Sequence, residues 1–182
     1  MTFFSTIAVA LLVASTTQAC AQAPAKAGAG AGGYVWYDGG KPRTAQLDET
    51  LVAEFDGPSG SSATPLLRSN GVRIWRRQED AATRAIATGK TSPVFRDSEG
   101  GAMRALPGNV IVRLDPAWNA GQVSDWLTAN GLTGLRRLPI GGNVLVVASP
   151  PGLAALDLAN RLQLSGKVVS AQPEWWEQRS TR

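Results

Sequence analysis

The stretch NVIVRLDPAWNAGQVSDWLTANGLTGLRRLPIGGNVLVVASPPGLAALDLANRLQLSGKVVSAQ, residues 109–172, carries the clearest succession of strand and helix signals in the chain. Val110, Val112 and Leu114 alternate with Ile111 and Arg113, the period-two pattern of a strand, and Asp115-Pro116 ends it. Asn119 is placed to cap a helix, with Gln122 three positions on in a capping-box arrangement. Val123, Trp126 and Leu127 then recur at helical spacing, and Asn130-Gly131 supplies the stop. LTGLRRL reads as a second strand, PIGGN as a turn, and VLVVAS as a third strand, apolar throughout and therefore central. Pro150-Pro151-Gly152 starts a second helix with Leu153, Leu156, Ala159 and Leu162 on its buried stripe. Gly166 stops it, and KVVSAQ is the fourth strand. Two βαβ units joined by a hairpin imply an antiparallel sheet with both helices on one face.

Working outward from there, residues 34–91 read as short β-like segments. Aromatic and branched residues flank Asp38-Gly39-Gly40, a hairpin signal because glycine accepts the positive φ of a tight reversal. GVRIWRR (71–77) alternates, which predicts a strand whose Arg73, Trp75 and Arg77 side is wet; TRAIATG (83–89) is its candidate partner. A weak repeat aligns Trp36 with Phe95, Asp38 with Asp97, Leu47 with Leu106, Leu51 with Val110, and Phe55 with Leu114. Residues 21–33, AQAPAKAGAGAGG, offer nothing to bury and read as a flexible tether.

The first twenty residues have the apolar run and small-residue end of a secretory signal. They predict export, to the periplasm, to an outer-membrane anchor or to the medium. Cys20 is the only cysteine, so no internal disulfide forms. STTQAC resembles a lipobox, with Thr17 where leucine is usual and Gln18 where a small residue is usual. Cys20 is thus a candidate for lipid attachment and membrane tethering, whereas Ala19-Cys20-Ala21 equally fits an ordinary signal-peptidase cut.

Composition removes several chemistries. With no histidine, a Ser-His-Asp or Cys-His centre does not exist within the chain. One cysteine and no histidine leave no zinc cluster, and the acids are scattered without a pair that stands out. No cofactor or metal is expected, and an enzyme is the least expected reading. The net charge of +4 and the run Arg73, Trp75, Arg76, Arg77 superficially fit nucleic acid. For an exported protein the better reading is a basic strand face that protects a sheet edge.

The segments LPGNVIVRL, LTANGL, RRLPIGGNVLVV, PPGLAALDLANRL and VVSAQPEWW, taken in order, resemble the propeptide domain of secreted subtilisin-type serine proteases and its free-standing relatives, the propeptide-like protease inhibitors. The resemblance covers residues 92–176. It implies an α+β, ferredoxin-like β-α-β-β-α-β sheet with two helices on one face, here preceded by a small β-rich segment. With the readings above, the chain divides into a signal (1–20), a tether (21–33), a β-rich module (34–91) and a propeptide-like domain with a C-terminal tail (92–182). The resemblance further implies that the free sheet face docks on a protease and that the tail Glu174, Trp175, Trp176, Glu177, Gln178, Arg179, Ser180, Thr181 and Arg182 runs into the substrate cleft. No catalytic Asp, His and Ser regions follow, so the expected role is an inhibitor or folding helper acting in trans. The alternatives are a non-inhibitory envelope-associated binding module and a remnant of a split protease precursor.

Overall fold

The computed structural model describes residues 33–57, 64–77 and 90–179. The signal, Cys20, most of the tether, the segment 83–89 and Ser180–Arg182 lie outside the described residues. The strands are β1 (Tyr34–Asp38), β2 (Lys41–Phe55), β3 (Leu67–Ser69), β4 (Val72–Arg76), β5 (Lys90–Arg96), β6 (Met103–Ala105), β7 (Val110–Leu114), β8 (Gly134–Arg137), β9 (Asn143–Val147), β10 (Ser170–Pro173) and β11 (Trp176–Glu177). The helices among the described residues are α1 (Ala120–Ala129), between β7 and β8, and α2 (Leu153–Leu164), between β9 and β10.

The expectation of a ferredoxin-like α+β fold is overturned. The described residues are mostly β, with eleven strands in two antiparallel sheets, one of them curled into a half-barrel. The larger sheet has seven strands, in the order β11-β6-β5-β2-β4-β3 with β1 added on β2. The smaller has the order β10-β7-β9-β8. The physical reason lies in β2. At fifteen residues, it has length enough for three partners. Its start pairs with β1, and its end pairs with β4 and β5. A segment read as a small preface thus becomes the spine of the larger sheet, which takes β5, β6 and β11 from the second half of the chain.

Local chemistry explains the joints. Gly39 and Gly40 have φ of 54° and 84°, the left-handed pair that a two-residue hairpin turn requires. The β2–β5 ladder shifts register between Asp48 and Val52. Asp48 pins the irregularity by accepting from Thr50 N (3.1 Å), Thr50 Oγ1 (2.6 Å) and Arg96 Nε (2.9 Å). Asn119 Oδ1 accepts from Gln122 N and Gln122 Oε1 from Asn119 N, a complete capping box on α1. β9 is interior to its sheet and buried along its whole length.

Three apolar clusters hold the two sheets. The first joins Val110, Val112, Leu114, Leu145 and Val147 to Val123 and Trp126 of α1 and Leu158, Ala159 and Leu162 of α2. The second lies in the larger sheet around Leu51, Phe55, Ile74 and Val94. The third is the hinge between them: Leu156 of α2 packs with Trp36, Ala45, Phe95 and Leu106. Asn160 Nδ2 adds a hydrogen bond of 2.8 Å to the Val35 carbonyl. β4 departs from the alternation expected of it. Arg73 and Trp75 are buried rather than wet, because Glu54 on the neighbouring strand takes both: Arg73 Nη2 lies 3.1 Å and Trp75 Nε1 2.9 Å from Glu54 Oε2.

Candidate functional site

The residues singled out in the tail do not extend into solvent among the described residues. After Pro173, Glu174 N donates to the Asn109 carbonyl, and the Glu174 carboxylate accepts from Asn109 Nδ2 at 3.1 Å and Arg136 Nη2 at 2.6 Å. Trp175 turns into the third cluster, where its ring meets Trp36 and Phe95 edge-on, each at 5.5 Å. Trp176 faces the other way and packs on the second cluster. Trp176 and Glu177 form β11 against Ala105 and Arg104 of β6. Gln178 extends the contact through its N–H to the Met103 carbonyl at 2.8 Å. Arg179 is exposed. The tail is a strap closing one edge of the larger sheet.

A cleft of about 1040 Å³ opens beside the strap. The β1–β2 hairpin forms one wall through Val35, Trp36, Asp38 and Arg43; Pro173, Glu174, Trp175 and Glu177 form the other. Arg104 sits between them. It bonds Asp97 and Glu177, each at 2.9 Å, and its guanidinium lies 5.5 Å above the Trp36 ring. Charge-assisted bonds of this length are the stronger kind, and the Trp36 face adds a cation–π contact.

The face of the smaller sheet turned away from the helices is the second candidate surface. Register places Gln172, Ile111, Val146 and Arg136 in one row there, and Ser170, Arg113 and Val144 in the next. The two valines are buried at 0% and 1%. Arg113 and Arg136 are exposed and Ile111, Ser170 and Gln172 partly so, and the Arg136–Glu174 pair spans the face from β8 to the strap. The free sheet face expected to dock on a protease thus carries exposed arginines.

Sequence reasoning picked the tail but missed its receptors, Trp36, Phe95, Arg104 and Arg136. The repeat that aligned Trp36 with Phe95 and Asp38 with Asp97 was the available signal. It concealed the arginines because Asp38 and Arg43 lie five apart, whereas Asp97 and Arg104 lie seven apart.

Among the described residues no group of three or more acidic, histidine or cysteine side chains is placed to hold a metal, and no helix is long and apolar enough to cross a membrane. Comparison with family models, with characterised proteins and with solved structures returns no match.

Proposed function

We propose that the protein is an exported, non-catalytic module that acts in trans on a subtilisin-like serine protease, as an inhibitor or folding helper. The reading rests on the ordered resemblance of residues 92–176. The observation that carries it is the placement of α1 and α2 on one face of the smaller sheet, which leaves Arg113 and Ile111 on the far face for a partner. Arginine is among the residues that dominate binding energy at protein interfaces. An acidic patch on the protease is the complementary surface.

The experiment is a progress-curve assay in which the exported protein is titrated against a panel of subtilisin-type proteases. Tight or slow-onset inhibition is expected, weakened at least tenfold by Arg113→Glu. Absence of any effect on rate or refolding yield across the panel would remove the protease from the account.

A second reading, a binding module that does not inhibit, is favoured by one feature. The strap that would have to enter a substrate cleft is already paired to β6 and wedged between Trp36 and Phe95. A complex that forms without loss of protease activity would select it.

A further inference from the structure

Two hairpins of one design face each other across Trp175. In the first, Trp36 lies opposite Arg43, and Asp38, two residues on from Trp36, pairs with that arginine at 3.6 Å. In the second, Phe95 lies opposite Arg104, and Asp97 pairs with it at 2.9 Å. Each hairpin thus offers an aromatic ring, an arginine across from it and an aspartate holding the arginine. The equivalent rings touch the same indole, edge-on at the same centroid distance of 5.5 Å. Arg104 of the second hairpin lies over Trp36 of the first, so the two motifs interlock.

We propose that this clamp and the adjoining cleft are a receiving groove for an extended peptide in which an aromatic residue is flanked by carboxylates, and that Glu174–Gln178 occupies it in cis. The chemistry of the seat defines the ligand. The rings select an aromatic side chain, Arg104 and Arg136 take the carboxylates on either side of it, and the β6 edge takes the backbone, as in strand addition. Arg43, the counterpart of Arg104, lines the same cleft, is 57% exposed and holds Asp38 only loosely. It is a further carboxylate seat that the strap does not use.

The strap is built to be displaced. β11 is two residues long. The indole N–H groups of Trp36, Trp175 and Trp176 are buried without an acceptor among the described residues, which leaves their desolvation uncompensated. Besides its ion pairs, ring contacts and short β pairing, covalent attachment gives the strap an effective concentration on the order of millimolar. A partner peptide therefore enters when the strap is loosened or when it binds more tightly than that. The groove is defined by the hairpins, and the inference does not depend on the protease reading.

The test uses the full-length chain carrying Trp175→Ala and Glu177→Ala, titrated with a labelled synthetic peptide of the sequence PEWWEQR and followed by fluorescence anisotropy. Saturable binding is expected. It should be at least tenfold weaker to the unmodified chain, whose own strap competes, and at least tenfold weaker when Arg104→Glu is added. The peptide PEAAEQR should not bind. A folded variant that ignores the peptide, or binds both peptides alike, overturns the proposal. Should the variant fail to fold, hydrogen exchange on the unmodified chain decides. The amides of Trp176 and Gln178 must exchange by local opening at least a hundredfold faster than that of Val112, and equal protection overturns the proposal.

Discussion

Glu54 is sealed in the larger sheet with its side chain fully out of solvent, holding Arg73 and the Trp75 indole. Removing one member of a buried ion pair strands the other charge, which costs about 3–5 kcal/mol. Glu54→Ala is therefore expected to lower the urea midpoint by that equivalent, and Glu54→Gln by less, since it keeps an acceptor for the indole. Gly57 belongs to the same arrangement: a Cβ there would overlap Arg73 Nη2 and Glu54 Oε1. Asp48 governs the acid side. Burial acts to raise its pKa, but the hydrogen bonds from Thr50 and Arg96 outweigh burial and hold it below 3.8. A folded value beneath the unfolded one means that the unfolded chain takes up the proton first as pH falls. The stabilisation is present above about pH 4 and fades as pH drops through the folded value. Urea midpoints of Asp48→Asn should lie below those of the unmodified chain at neutral pH, and the gap should narrow as pH falls through the lowered folded value.

At the scale of elements, α1 rests on its box of Asn119 and Gln122. Asn119→Ala should cost about 1 kcal/mol, read as a shift in the denaturation midpoint without a change in slope. Val112 lies in the first cluster with no exposure. Val112→Asp buries a charge without a partner and should abolish the cooperative near-ultraviolet melt of the domain; an unchanged melting temperature would contradict the assignment of this strand face. These elements were legible because their signals are local: a cap, a period, a glycine stop. The architecture was not legible, for reasons that are also physical. Only β1, across the Gly39-Gly40 turn, is a local partner of β2; β4 and β5 lie farther along the chain, and nothing in LDETLVAEF states that one strand will serve them as well. Alternation in GVRIWRR assigned Arg73 to water, because the cross-strand Glu54 that neutralises it is invisible to a one-strand pattern. The tail was recognised by its paired tryptophans, but their destination depended on rings at Trp36 and Phe95.

For the whole molecule, the two sheets share the cluster of Trp36, Phe95, Leu106 and Leu156, and the strap crosses that junction. Glu174 meets one sheet and Trp176 the other, but it is the shared cluster that couples the halves, so their unfolding should be cooperative while the strap opens locally. The guanidinium-lined far face remains the surface proposed for the protease. The most direct measurement is surface plasmon resonance with an active-site-blocked subtilisin-type protease immobilised, comparing the unmodified protein with an Arg113→Glu, Ile111→Glu double variant of unchanged circular dichroism. Saturable binding is expected, falling at least a hundredfold in the variant and weakening with added salt. Equal binding by both proteins, or binding by neither, would contradict it.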